Sequence, residues 1–263
     1  MQLPFNKSLY YSGEYYDSIV GCASDDFSKK NISFWIEITK KCCAIGSRVL
    51  ELACGTGRIT IPLAQEGFNA VGIDNSESML NLAHKKSLEL ANVEFKEGNI
   101  EDFESESKFS IIFLAEDGFG QLTTIEKIES CLACVKDSLE PNGTFIIDVL
   151  NPNANYLSSL WSSSNRDISA VFDDPNGDGM VTVARSRAYN FTSQTVTMKL
   201  FFKLPRYEQE IVEEHTLRIF FPVEVEALLK YNGFTIKEKA GDYDMNPFGA
   251  TSPQQIFICQ VSG

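Results

Sequence analysis

Between Val49 and Ala64 the chain reads VLELACGTGRITIPLA, an apolar strand that reaches an acid, Glu51, and then breaks into a turn carrying Gly55 and Gly57. A helix pattern follows. Backbone that turns sharply against a ligand leaves no room for a Cβ and often needs a positive φ, which glycine supplies. The helix beyond the turn directs unpaired N–H groups at whatever lies in front of it. A second apolar strand, Ala70 to Ile73, ends in Asp74, nineteen positions after Gly55. A carboxylate at that place suits the two hydroxyls of a ribose, which it accepts simultaneously. Together these features predict a nucleoside-containing cofactor.

From Arg48 to about Asp148 strand and helix patterns alternate, which predicts an α/β fold, a parallel sheet with helices on both faces. Strands are expected at Val49–Leu52, Ala70–Ile73, Val93–Glu97, Ser110–Leu114 and Thr144–Val149. Asn75 and Ser76 are capping types ahead of a helix that holds Met79 and Leu80. A second amphipathic helix, Ile125 to Leu139, stops at the turn Pro141-Asn142-Gly143. At Asn151 the character changes. Asn151–Asn165 is rich in Asn and Ser, and Asp173–Gly179 reads as a turn. Met180–Ala188, Thr195–Lys203 and Glu210–Ile219 then alternate apolar and polar residues, the period of antiparallel strands with one wet face. A helix at Pro222–Tyr231 and a closing hairpin, Phe234–Lys239 with Gln255–Val261, complete the chain. The expected division is residues 1–45 as an N-terminal helical segment, 46–150 as the cofactor-binding core, 151–219 as an antiparallel insert over the substrate, and 220–263 as completion of the core sheet.

A net charge of −13 repels phosphate backbones, and no Lys/Arg stripe overrides it, so nucleic acid is disfavoured as a partner. Small cationic or neutral molecules are easier partners. No apolar run approaches the roughly 18–20 residues needed to span a bilayer, so no membrane association is expected. The first residues show neither a basic region nor a long apolar one, so no secretory signal is expected. Seven cysteines, an odd number with Cys42 and Cys43 adjacent, fit reduced thiols in a cytoplasmic protein better than a disulfide framework. Cys131 and Cys134 have no second pair at zinc-site spacing, so no metal is expected.

In these residues the chain resembles the class I S-adenosylmethionine-dependent methyltransferases. The first family motif is matched by Glu51-Leu52-Ala53-Cys54-Gly55-Thr56-Gly57, with Ala53 where many members have glycine. Val71-Gly72-Ile73-Asp74 matches the second and Val93–Ile100 the third, with Asn99 where many members carry Asp. The Leu139–Thr144 turn and Gly233-Phe234 are also typical. The resemblance implies a Rossmann-like, doubly wound, mostly parallel seven-stranded sheet with a late antiparallel β insert. It implies S-adenosylmethionine as cofactor, S-adenosylhomocysteine as product, and a small-molecule acceptor of the kind amino-sugar N-methyltransferases use. The cofactor-binding set it suggests is Glu51, Ala53, Gly55, Gly57, Asp74, Asn75, Met79, Asn99, Ile100, Leu114 and Tyr11.

Against these stand plainer readings. A nicotinamide oxidoreductase also has a glycine turn and an acid about 20 residues on. Its third glycine would fall at Thr60, where a β-branched residue fits badly against the strand. A protein of the same fold that binds the cofactor without transferring methyl is the other alternative. Glu116 and Asp117 either face a substrate amine or are solvated, and with Glu14 and Asp17 they suggest an acidic rim. Tyr10, Tyr11, Tyr15 and Tyr16 form either an aromatic lid for a cation or a helix packed on the core. His215 either roofs the pocket with Arg218 or is structural, while His84 is expected to be exposed. The catalytic candidates are therefore His215, Tyr16 and Glu116, and the scarcity of histidine favours an amine nitrogen as acceptor.

Overall fold

The computed structural model describes residues 8–10, 12–22, 25–161, 166–177 and 179–262. Two helices, α1 (Gly13–Gly21) and α2 (Asp25–Cys42), precede the core. Strands β1 (Arg48–Leu52), β2 (Asn69–Asp74), β3 (Val93–Glu97), β4 (Phe109–Leu114) and β5 (Leu139–Leu150) alternate with α3 (Thr60–Gln65), α4 (Glu77–Lys86) and α5 (Ile125–Ser138). After β5 come α6 (Ala154–Trp161) and four strands, β6 (Asp167–Asp173), β7 (Met180–Asn190), β8 (Thr195–Lys203) and β9 (Ile211–Arg218). Helix α7 (Pro222–Tyr231) and strands β10 (Phe234–Ala240) and β11 (Gln254–Val261) close the chain.

The main sheet has seven strands in the order β10-β11-β5-β4-β1-β2-β3. The first five strands of the chain pair in parallel, and β11 runs against both its neighbours. Strand order reverses between β1 and β4, and at such a switch point open α/β sheets leave a crevice beyond the strand ends. Apolar layers lie on both faces. On one, Leu52, Phe119, Leu132, Val135 and Leu229 pack against the sheet. On the other, Trp35 of α2 stacks on Phe113 of β4 with ring centroids 4.5 Å apart.

Most sequence expectations hold here. Ser76 caps α4, its hydroxyl accepting from Met79 N at 3.4 Å. The Pro141-Asn142-Gly143 turn exists as a bulge inside β5, not as a loop before it. Phe109 pairs with Leu139 and Ile111 with Thr144, so four residues bow out opposite Ser110. Asn142 takes a left-handed φ of 68° to permit it. The insert has four strands where three were expected, plus a helix in the Asn/Ser-rich stretch. The missed strand, β6, buries only Ala170, which leaves its alternation too faint to read. The missed helix starts at a cap that its Asn content supplies, Asn153 Oδ1 accepting from Tyr156 N at 3.0 Å.

The glycine turn lies directly on β2. A Cβ at Gly72 would stand 2.6 Å from Cys54 Sγ and 2.8 Å from the Phe95 ring, so only glycine lets the turn settle there. We predict that Gly72→Ala costs about 1–3 kcal/mol through overpacking. Adding Cys54→Ala should recover part of that loss, measured by thermal unfolding. Strict additivity of the two substitutions would contradict the contact.

Candidate active site

Beyond β1 the backbone passes through left-handed φ at Ala53 (58°), Gly55 (54°) and Gly57 (77°). For Ala53 this conformation costs about 1–2 kcal/mol relative to glycine's freedom, which is why glycine is usual at such a place. Gly55 opens onto empty space, where a Cβ would meet no atom within 4 Å. Gly57 has a different reason to be glycine, because a Cβ there would stand 2.7 Å from the Phe95 ring.

Three cavities meet at this turn. The first, of about 130 Å³, is lined by Glu51, Ala53, Gly55, Asp74 and Met79 from the core, Glu116 from the loop after β4, and Tyr10, Tyr16 and His215 above. The second, of about 140 Å³, shares Ala53, Asp74 and Gln121 with the first and adds Asn75, Asn99 and Ile100. The third, of about 540 Å³, borders the first at Tyr10, Arg58, Glu116, Asp117 and Met198 and runs under the insert. Eleven of the fourteen expected site residues thus lie along two adjoining chambers. Gly57 and Leu114 line neither, and Leu114 is fully buried in the apolar layer. Tyr11 lies outside the described residues.

Glu51 is 5% exposed and sits between Gly72 and Phe113 in the centre of the sheet. Its Oε2 accepts a hydrogen bond from Thr60 Oγ1. Burial raises its pKa to about 8, opposed by the Thr60 hydrogen bond and by the charge of Arg58. A cation arriving in the chamber would supply the charge that this carboxyl lacks. Thr60, read from the sequence only as a poor fit for a dinucleotide turn, is the acid's partner. Asp74 closes β2 with Oδ2 accepting from Gly55 N at 2.8 Å and Oδ1 from Ser76 N at 2.9 Å. Burial raises its pKa too, against those same backbone donors. Each oxygen keeps a further lone pair for a ligand hydroxyl.

The acidic rim differs from expectation. Asp17 is engaged by Thr56 Oγ1 at 2.6 Å and Lys86 Nζ at 2.9 Å, and Glu14 is exposed on α1 without lining these cavities. Glu116 is paired with Arg58 at 2.6 Å, and Arg58 also donates to Asn31 Oδ1 at 3.0 Å. Asp117 is half-buried rather than freely solvated. Its carboxylate accepts from Leu150 N at 2.6 Å, and burial raises its pKa to about 6. Sequence reasoning passed over Arg58, although an arginine directly after a glycine turn was the available signal.

The two tyrosine readings both hold, for different residues. Tyr15 is buried in the insert core and its hydroxyl donates to Asp174 Oδ1 at 2.7 Å. Tyr10 and Tyr16 meet edge to face at 5.7 Å and line the first chamber. Tyr10 also packs on His215, with ring centroids 4.6 Å apart. Burial lowers the His215 pKa, partly offset by Glu213. Arg218 turns away from the chamber, donating to Glu224 at 2.6 Å and to Thr123 O at 3.4 Å.

A sheet of this strand order, with a cleft at the ends of β1 and β2, is the Rossmann-like fold of the class I methyltransferases. The chain belongs to the methyltransferase-domain family, whose pattern it matches over residues 45–201. It is 26% identical over 219 residues to YqeM of Bacillus subtilis (strain 168), which bears a methyltransferase name, covering 82% of this chain and 84% of that protein. Its fold is that of an S-adenosylmethionine-dependent methyltransferase from Clostridium acetobutylicum ATCC 824, with TM-score 0.75, 24% identity, and 95% and 97% of the two chains covered. The sugar N-methyltransferase KedS8 from Streptoalloteichus sp ATCC 53650 shares the fold with TM-score 0.73 and 15% identity, covering 100% of this chain and 98% of that one. Among the described residues no helix is long and apolar enough to cross a membrane.

The buried acids set a pH dependence. An acid whose folded pKa lies above its unfolded value holds a proton that the unfolded chain has released, so stability falls as pH rises between the two values. For Glu51 that window runs from 4.5 to about 8. The ligand-free protein should therefore lose up to about 1.4 kcal/mol per pH unit from this group across the window. Urea unfolding of wild type and Glu51→Gln at pH 5.5 and pH 8 checks it. The variant should show the shallower decline, and equal slopes would remove the assignment.

Proposed function

We propose that the protein methylates an amine nitrogen of a small molecule with S-adenosylmethionine, releasing S-adenosylhomocysteine. The observation that carries this reading is the lining of one chamber by Glu51, Asp74, Tyr10, Tyr16 and His215. When bound, S-adenosylmethionine supplies an activated methyl group on a sulfonium, so the protein's part is alignment and exclusion of water. Asp74 would accept the ribose hydroxyls, and Glu51 would face the ammonium of the methionine end. Asn75, Asn99 and Ile100, around the second chamber, would surround the base, with the Asn99 amide oxygen accepting from an adenine amino group. Ala53, Gly55 and Met79 would line the passage between these groups.

The larger cavity would take the acceptor. Tyr10 and Tyr16 would offer aromatic rings to a centre that becomes positive as nitrogen is methylated, an attraction of about 0.5–2 kcal/mol. Glu116 adds a carboxylate at the same border, although Arg58 offsets its charge. His215, beside Tyr10, would hold the proton released from a methylated amine. The name of the fold neighbour KedS8, a sugar N-methyltransferase, agrees with a nitrogen acceptor. An oxygen acceptor would depend far more on His215, because an alcohol must lose its proton as it attacks.

Two measurements test this. Asp74→Ala should weaken S-adenosylhomocysteine binding about 10–100-fold by calorimetry, from loss of hydrogen bonds to a charged acceptor. An unchanged dissociation constant, or tight NAD binding without the sulfonium ligand, sinks the cofactor assignment. His215→Asn, assayed against pooled amines, sugars and phenols, should retain most N-methylation above pH 8. Loss of all product at every pH would instead mark an oxygen acceptor.

A further inference from the structure

Most polar groups that border the larger cavity have their partners within the protein. Arg58, where the cavity meets the first chamber, is paired with Glu116 at 2.6 Å and donates to Asn31 Oδ1 at 3.0 Å. Asp117 accepts from Leu150 N at 2.6 Å. On β6 the Ser169 hydroxyl donates to Val183 O at 3.1 Å, and at the start of β11 Gln254 Nε2 donates to the Tyr243 hydroxyl at 3.4 Å. The second arginine of the lining, Arg185, is exposed on β7 with Asp167 opposite it in the β6–β7 register. Two arginines and two acids, Glu116 and Asp117, thus line the cavity, and their formal charges cancel.

The remaining surface is apolar. Ile19 and Val20, at the end of α1, line the cavity together with Met198 and Leu200. Met198 and Leu200 are two residues apart on β8 and so share one face of the sheet. Leu200 belongs to the apolar cluster of the insert, and Ile19 and Met198 pack against that cluster. The cavity therefore borders the insert's hydrophobic core. Its polarity is graded, because Tyr10, Arg58, Glu116 and Asp117 are shared with the first chamber, whereas Ile19, Val20 and Leu200 belong to the larger cavity alone. At about 540 Å³ it falls within the roughly 300–1,000 Å³ of sites that bury a drug-sized molecule. A ligand gains little by exchanging water for groups that are already hydrogen-bonded, while each apolar area it removes from water contributes in proportion.

We propose that the acceptor is an amine on an uncharged, largely apolar body, a ring or a hydrocarbon chain. The body lies against Ile19, Val20 and Leu200 while its nitrogen reaches Tyr10 and Glu116 at the edge of the first chamber. The proposal rests on the reading of the larger cavity as the acceptor site. A phosphorylated or nucleotide-linked sugar fits this lining poorly, because each arginine has an acid against or opposite it and the chain carries a net charge of −13.

Calorimetry of the full chain with S-adenosylhomocysteine present tests the site, with benzylamine, 2-phenylethylamine, 3-phenylpropylamine and 4-phenylbutylamine as probes. Affinity should rise about 2–4-fold with each added methylene, and glucosamine and glucosamine 6-phosphate should bind about 10-fold more weakly than 4-phenylbutylamine. Val20→Gln and Met198→Gln should flatten that gradient, whereas a variant that merely folds less well would lower every affinity alike. A flat series in wild type, equal or tighter binding of either sugar, or an unchanged gradient in both variants overturns the proposal. Should S-adenosylhomocysteine fail to bind while the gradient stands, the donor assignment falls and the apolar site remains. Binding of S-adenosylhomocysteine with no gradient strikes the apolar site alone.

Discussion

The Asp74 carboxylate ties the end of β2 to the turn after β1, and the geometry of the cleft follows from that tie. One oxygen accepts from Gly55 N and the other from Ser76 N, so a single side chain fixes the glycine turn and the start of α4. With the turn fixed, Cys54 N donates to Ile73 O at 3.0 Å and Gly57 N to Cys54 O at 3.0 Å. The backbone can sit this low because Gly72 has no side chain to hold it off. Glu51 is then trapped under the turn with Thr60 as its partner. Burying a carboxyl in this way is costly unless it is hydrogen-bonded, neutralised or paired. Proton retention meets that cost in the ligand-free protein, and a bound cation would meet it otherwise.

The roof of the cleft is built from two segments far apart in the sequence, the N-terminal residues and the insert. Residues 8–10 are held to β9 by Glu213, and α1 is held to the insert by Tyr15, whose hydroxyl meets Asp174, Asn176 and Arg206. The same helix reaches the floor, where Asp17 accepts from Thr56 of the glycine turn. Gly13 packs against α4, where a Cβ would stand 2.9 Å from Leu82 Cβ. The N-terminal segment therefore spans the insert and the core across the first chamber.

What the sequence disclosed and what it hid divide along physical lines. The strand–turn–helix at Val49–Ala64 and the acid at Asp74 were readable because they are local, with their periodicity, glycines and capping types all within one window. The insert strands with a buried face, such as Thr195–Lys203, were readable for the same reason, while β6 lacked that contrast. Thr60 as the partner of Glu51 was hidden because it depends on how α3 folds back over β1. The state of Asp17, Glu116 and Asp117 was hidden because charge in a sequence does not reveal its partner. Each of these acids is occupied by a residue at least 33 positions away or by a separate element, Thr56, Arg58 and Leu150 respectively.

The loop after β4 shows how acids that read as recognition groups can be structural. Glu116 and Asp117 both take left-handed φ, 45° and 61°, a strain of about 1–2 kcal/mol for each non-glycine residue. Buried hydrogen bonds hold them there. Asp117 N donates to Asp148 O, Glu116 N to Asp148 Oδ2, and Leu150 N to the Asp117 carboxylate. Asp148 is fully buried, takes a further hydrogen bond from Tyr243 at 2.7 Å, and has its pKa raised by burial to about 7. Its side chain therefore supports the loop without placing a full negative charge beneath the chamber. Glu116 is paired with Arg58 where the first chamber borders the larger cavity, and that cation offsets its charge. Tyr10, Tyr16 and His215 line the first chamber beside that pair.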